Sequence, residues 1–396
     1  METRELRPMV DEEELKTNAK IKVIGIGGGG SNAVNQMIHD KEGQVEYWVF
    51  NTDNQALSNS PCVNRLVLGR NITKGLGAGG NPEMGRKAAE DSYDDIRLIV
   101  QGADMVFIAV GEGGGTGTGA APVVAKAARE EGALVLAIVT RPFNFEGKVR
   151  KVNATEGMNE LMKQVDALIV VSNDRLMFNK GGLPITDAFA VSDQTLVDAV
   201  NTVTDLILVH GIINLDFADV KATLQGKGLS LIGIGTGKGE KKAIDAATSA
   251  INSPLLEASI GGSRKMLINL TVSQDTILDD VRYAVEYIRE AASGDKDSCN
   301  VIFGVQINPD FHDEMRIAII ATDFEKDVDF NTAPALTRAP KTAPVVEEKS
   351  TLPAKGETAV EKEMEEKEED NVLPDYFQHL YAKPEGKKEG DDNGNQ

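Results

Sequence analysis

Residues 111–119 read Gly-Glu-Gly-Gly-Gly-Thr-Gly-Thr-Gly, six glycines in nine positions, set between an apolar run at 104–110 and a helical pattern at 116–131. Glycine loses more backbone freedom on folding than any other residue, so a cluster between two ordered elements needs a use. A flexible linker is not that use, because the flanks are strand and helix rather than Ser and Pro. A glycine turn from a strand into a helix lets bare amides converge on an anion, and the helix dipole adds to the attraction. The chain therefore reads as an α/β protein that holds phosphate.

A second loop has the same setting. Residues 25–32, Gly-Ile-Gly-Gly-Gly-Gly-Ser-Asn, follow an apolar run at 20–26 and open a helix at 31–37. They contain Gly-x-Gly-x-x-Gly at Gly25, Gly27 and Gly30; the plain alternative is a tight turn that packs helix on strand. Two cradles on neighbouring strands suit a nucleotide polyphosphate. A third glycine-rich loop, 73–83, precedes a helix that starts at Pro82 and is placed to close over a terminal phosphate, unless it is a simple surface loop. The chain holds no Gly-x-x-x-x-Gly-Lys-Ser/Thr, so there is no P-loop lysine. Phosphate charge must be met by backbone amides, helix dipoles and a metal ion.

Strand and helix patterns alternate through the first half: strands at 46–51, 104–110, 133–140 and 167–171, helices at 82–100, 116–131 and 148–164. Near-continuous apolar strands in this rhythm predict a Rossmann-like parallel sheet covered on both faces. One long amphipathic helix at 191–209 joins it to a smaller α/β domain with strands at 229–233, 266–272, 301–305 and 316–321 and helices at 243–251 and 277–292. After Phe324 the composition changes. Residues 325–396 carry six of the 14 prolines and 18 acidic against 10 basic residues. Such a segment buries too little apolar surface to order itself. The expected organisation is a flexible segment at 1–19, a nucleotide domain at 20–190, the central helix at 191–209, a second domain at 210–324, a disordered acidic linker at 325–370 and a partner-binding peptide and tail at 371–396. Within the last, LPDYFQHLY (373–381) is an apolar island suited to a partner groove, or a chance cluster.

The net charge, 42 − 62 = −20, disfavours nucleic acid and anionic lipid. Two distant cysteines, Cys62 and Cys299, fit a reducing compartment. The first 20 residues lack the apolar core of a signal peptide, and no stretch approaches 18 apolar residues, so no direct membrane insertion is expected. The four histidines form no triad or metal cluster, and a metal-ligand set cannot be named. Trp48 and Phe50 are expected in the core.

Asp216 and Asp219 stand i, i+3 where a loop turns into a helix. Paired carboxylates at that spacing orient water or hold a hydrated cation; the plain alternative for Asp216 is a helix N-cap. They follow the long helix, whose start is near the phosphate loops, so one subunit cannot easily bring acids and phosphates together. A site split between neighbouring subunits is the natural consequence, and a repeated head-to-tail contact builds a filament. Two other functions compete. A dehydrogenase would use Gly25–Gly30 with Asp53 on the ribose, 23 residues past Gly30; a non-hydrolysing nucleotide scaffold would not need the acids.

The segments GEGGGTGTGAA (111–121), PFNFEG (142–147) and NLDFAD (214–219) closely resemble the tubulin/FtsZ family of GTPases, in its bacterial cell-division branch, from about residue 20 to 324. The resemblance implies binding and hydrolysis of GTP to GDP, with Mg2+, by a homopolymer growing head to tail at a cytoplasmic, mid-cell division ring. It implies that Gly28, Gly29, Gly30, Ser31 and Asn32 line the nucleotide and that Gly115, Thr116 and Gly117 hold phosphate. Glu146 and Arg150 would contact the ribose and base region, and Asn173, Phe189 and Asp193 would select and stack guanine. Asn214, Asp216 and Asp219 would belong to the loop that enters the neighbour's site. The tail near 373–381 would bind membrane-tethering division proteins of the FtsA or SepF kind. The chain departs from the family pattern at Glu112, where Met is usual, at Gly80, where Ala is common, at His210-Gly211, where Pro-Gly is common, and in a loosely matching tail peptide.

Overall fold

A computed structural model describes residues 19–39, 43–177, 184–209, 211–293 and 299–324. The linker, the tail peptide, most of the N-terminal segment and His210 lie outside these residues.

The first half runs β1 (Ile21–Ile26), α1 (Gly27–Met37), β2 (Val45–Asn51), α2 (Asn54–Ser58), β3 (Asn64–Val67), α3 (Arg70–Thr73), α4 (Pro82–Asp91) and α5 (Tyr93–Val100). It continues with β4 (Met105–Gly111), α6 (Thr116–Glu130), β5 (Leu134–Arg141), α7 (Lys148–Met162), β6 (Ala167–Ser172), α8 (Asn173–Met177) and the long α9 (Ile185–Leu208). The second half is α10 (Phe217–Leu224), β7 (Gly228–Lys238), α11 (Lys242–Ile251), β8 (Ser263–Val272), α12 (Leu278–Ser293), β9 (Asn300–Ile307) and β10 (Glu314–Phe324).

The strands form one sheet in the order β3-β2-β1-β4-β5-β6-β7-β10-β8-β9. The first six are parallel, in the doubly wound order that reverses direction between β1 and β4. Their apolar runs have a simple cause. In β4, Met105 and Phe107 enter the core beneath α1 and α9, while Val106, Ile108 and Val110 enter the core beneath α4, α6 and α7. Both faces are buried, so both parities must be apolar. Phe50 is fully buried, with Trp48 edge-on to it at 6.1 Å.

The parallel sheet continues into the second half through β6 and β7, which pair over three residues from Ala167↔Gly228. β10 then inserts antiparallel between β7 and β8. The strand and helix order of this half matches the sequence expectation, with longer strands.

Three expectations change, the first being that the helix read at 31–37 starts at Gly27, directly after β1. The helix predicted at 82–100 is two helices broken at Ser92, whose hydroxyl accepts a hydrogen bond from the Gly69 amide at 2.9 Å. The long helix starts at Ile185 rather than 191, capped behind Pro184. Its first turns are largely exposed, so they carry little apolar periodicity to read.

Candidate active site

The C-terminal ends of β1, β4, β5 and β6 open on one side of the sheet, where the strand order reverses and where ligands of such sheets bind. The turns leaving β1 and β4 touch. Gly27 has φ +71°, and a Cβ there would stand 2.9 Å from the Gly117 amide nitrogen, so only glycine fits the approach. The result is a cleft of about 400 Å3. Residues of the first turns of α1 and α6 line it, and the first amides of a helix have no partner within the helix.

Gly28, Gly29 and Asn32 line one wall, and Gly114, Gly115, Thr116 and Gly117 the floor. Gly30 and Ser31 stand behind the wall. A Cβ on Gly30 would meet the Ala109 carbonyl oxygen at 2.1 Å, so this glycine serves helix-on-strand packing, and the buried Ser31 hydroxyl has no hydrogen-bond partner. The loop at 73–83 lies against the floor: the Asn81 amide and Ala78 Cβ sit within 2.9 Å of where a Gly115 side chain would begin. The Thr52 and Thr116 hydroxyls, 2.6 Å apart, tie the end of β2 to the same floor.

The opposite wall comes from Glu146, Arg150, Asn173, Phe189 and Asp193. Phe189 packs edge-on against Phe143 at 5.2 Å, which fixes the plane of its ring. Asn173 accepts a hydrogen bond from the Ser192 hydroxyl at 2.7 Å through its carbonyl oxygen, so its amide group is turned elsewhere. Burial lifts the Asp193 carboxyl to about 6, while the Asn32 side chain beside it favours the charged form. Glu146 pairs with Arg150 and accepts from the Phe143 amide at 2.9 Å.

Sequence reasoning missed Thr140, Pro142 and Ser192, which also line the cleft. Pro142 opens the segment already singled out at 142–147. Ser192 is a hydroxyl next to Asp193 on a buried helix face, a weaker signal. Thr140 is the last residue but one of a strand whose first six residues are all apolar. Asp53 is not at the cleft. It caps α2, accepting from the Gln55 amide at 2.8 Å, which removes the ribose acid from the dehydrogenase reading.

Asn214, Asp216 and Asp219 do not line the cleft either. α9 begins beside the cleft, and the 15 residues from Asp193 to its last residue, Leu208, rise about 22 Å away from it. The chain beyond is pinned there: the Ile212 amide donates to the Val305 carbonyl at 2.8 Å, and Val305 donates back to Ile213 at 3.0 Å. Asn214 accepts from the Gly211 amide at 2.6 Å. Asp216 is the N-cap of α10, accepting from the Asp219 amide at 2.8 Å, and remains exposed.

Residues 20–179 match the family model for the GTPase domain of the Tubulin/FtsZ family, and residues 228–325 match that for the C-terminal domain of the FtsZ family. Among solved structures the chain is similar to the empty FtsZ dimer of M. jannaschii, at 39% identity and a TM-score of 0.75 over 80% of this chain and 92% of that one. It is also similar in fold to CetZ2 of Haloferax volcanii, solved as a GTPgS-bound protofilament, at 22% identity and a TM-score of 0.65 over 77% and 93%. CetZ1 of the same organism, a GDP-bound monomer, matches at 22% and 0.65 over 76% and 93%.

Proposed function

Because the chain belongs to the tubulin/FtsZ family of GTPases, we propose that it polymerises head to tail and hydrolyses GTP at sites completed by the neighbouring subunit. Guanine-nucleotide binding and GTPase activity come with that family. The assembly and the division of labour between residues are our reading.

In this reading the α- and β-phosphates rest on the amides of Gly28 and Gly29 and of Gly114–Gly117, and the γ-phosphate points out of the cleft. Guanine stacks on Phe189. Asp193, when ionised, accepts from the base N1–H and amino group, and the Asn173 amide donates to its carbonyl. Arg150 and Glu146 meet the ribose. Among the described lining residues the side chains of Glu146 and Asp193 stand against the single cation Arg150, so the cleft suits a nucleotide whose charge is already reduced. No three His, Cys, Asp or Glu cluster as a metal cage among the described residues, which fits a Mg2+ carried in by the phosphates. Such an ion would draw charge from the phosphate oxygens.

Asn214, Asp216 and Asp219 supply the water-orienting group of the next subunit. Hydrolysis depends chiefly on positioning, and a carboxylate pair, Asp216 exposed and Asp219 half-buried, orients a water by accepting its hydrogen bonds. The observation that carries the proposal is the distance within one subunit: the acids sit beyond the far end of α9, pinned to β9, and none lines the cleft. Exposed apolar side chains support docking at both places. Leu76, Phe145 and Val149 are exposed in segments that adjoin the cleft in sequence, and Val209, Ile212 and Ile213 are exposed in the chain leading to the acids. The contact joins unlike surfaces, so it propagates instead of closing.

No helix among the described residues is long and apolar enough to cross a membrane. We place the filament at a cytoplasmic mid-cell division ring, tethered through 373–381 to adaptors of the FtsA or SepF kind. The test is GTPase rate against protein concentration, with sedimentation in parallel. Turnover per subunit should be near zero below the concentration at which protein pellets and rise above it. A rate per subunit independent of concentration would remove the shared site.

A further inference from the structure

Glu112 is the residue of the phosphate loop that the reading above leaves without a task. Its amide donates to the Thr140 carbonyl at 2.9 Å, which fixes it at the end of the sheet. Its carboxyl turns into the wedge between α6 and α7 and is 3% exposed. A Cβ added to Gly157 of α7 would stand 2.8 Å from Oε2 and 2.3 Å from the Thr118 methyl, so α7 packs closely on the carboxyl at this point. Both carboxyl oxygens are sealed from solvent, and the donors beside them, the Thr118 hydroxyl and the Gly113 amide, are neutral. The Thr118 hydroxyl of α6 is engaged as acceptor from the Gly113 amide at 2.8 Å.

A carboxylate so placed is poorly solvated, and the phosphates bound by Gly114–Gly117 would add like-charge repulsion two to five residues away. Two things relieve it, a cation or a proton. A cation needs several oxygen ligands, whereas the wedge offers one carboxyl against a methyl and a glycine. From β5 the facing group is Thr140 and from α6 it is Thr118, both uncharged. From α7 they are Gly157, Asn153, whose amide reaches the Gly113 carbonyl at 3.5 Å, and Arg150, whose backbone faces the loop while its guanidinium pairs with Glu146. No counter-charge faces the carboxyl from these elements.

We propose that Glu112 is a positioning residue that works as a neutral carboxylic acid, and that the phosphate loop takes up a proton at this side chain when a guanine nucleotide binds. The inference rests on the reading of the cleft as the nucleotide site. The titration agrees with the geometry: burial lifts the group to about 7, against weaker opposite pulls from the Thr118 hydroxyl and the Gly113 amide. Near neutral pH the empty loop is then a mixture of charged and neutral forms, and phosphate selects the neutral one.

The sign follows. Affinity is full below the titration of the free protein, falls above about pH 7, and levels off above the higher titration of the complex. GDP, which is not turned over, is the probe, on the full chain stripped of nucleotide. Between pH 7 and 8.5 the wild-type affinity should fall by up to about tenfold per pH unit relative to Glu112→Gln, which carries the neutral form permanently. Infrared difference spectra of the wild type at pH 8 should show a protonated-carboxyl band rising and a carboxylate band falling when GDP is added, and Glu112→Gln should lack both changes. Identical pH profiles for the two proteins would overturn the proposal. So would a wild-type spectrum without the rising band, which decides the matter even where the variant fails to fold. If GDP binds at no pH, the reading of the cleft falls, and this inference with it.

Discussion

Two carboxyls at the cleft, Glu112 buried and Asp193 half-buried, respond to pH in opposite senses. Asp193 must be ionised to accept from guanine, and its carboxyl titrates near 6, so affinity for guanine nucleotides should be lost as pH falls below about 6. Asp193→Asn replaces one acceptor oxygen by a donor. That pairs with the carbonyl at position 2 of xanthine in place of the amino group of guanine, so the variant should bind xanthosine diphosphate better than GDP in a competition assay. Unchanged preference would remove Asp193 from base recognition. Glu112 is opposite to Asp193 in its effect on nucleotide affinity, and it is also linked to folding. Its carboxyl titrates near 7 in the folded chain against 4.5 ordinarily. Between those values the unfolded chain has released the proton and the folded chain has not, so stability falls as pH rises through the window and levels above it. Glu112→Met removes the liability. It should gain about 3 kcal/mol over the wild type at pH 8 and much less near pH 4.5, read from denaturant midpoints at the two pH values.

At the scale of elements, the short turn that begins α10 has two jobs, and one substitution separates them. Asp216 caps the helix and, in our reading, orients water in the neighbour. Asn caps a helix about as well as Asp but carries no charge, while Ala does neither. Asp216→Asn should therefore melt like the wild type and hydrolyse GTP poorly, and Asp216→Ala should lose about 1 kcal/mol as well. Equal activity in Asp216→Asn and the wild type would reduce the residue to a cap. This element also marks what was legible in the sequence. Glycine loops, apolar strands and the i, i+3 acids are local patterns, so the parallel sheet, the cleft floor and the second α/β half could be read directly. The break at Ser92 could not, because it depends on the Gly69 amide brought in from 23 residues away. Nor could the first turns of α9, whose exposed face leaves no period. Gly30 and Ser31 read as ligand contacts because a motif does not say which glycine faces the phosphate and which packs on the strand. Glu112 read as a departure near phosphate, but its burial between two helices is a tertiary fact.

At the scale of the whole molecule, the cleft and the acids lie at the two ends of α9, and the family-model matches end at residue 325. Deleting 326–396 should leave GTP-dependent sedimentation and hydrolysis largely intact and abolish recruitment to membranes carrying tail adaptors. A truncated chain that binds GTP yet fails to pellet would place part of the assembly surface in the tail. The central claim is that one subunit's acids serve another subunit's nucleotide, and mixing two crippled proteins tests it most directly. Gly115→Trp cannot hold phosphate, because even a Cβ there meets the Asn81 amide nitrogen at 2.8 Å, but it keeps its acids. Asp216→Asn keeps its cleft but lacks one acid. Each alone should be nearly inactive. Mixed, and shown to sediment together, they should hydrolyse GTP faster than the sum of the two, with a maximum at an intermediate ratio. Co-sedimentation without any gain in rate at every ratio would contradict a site shared between subunits.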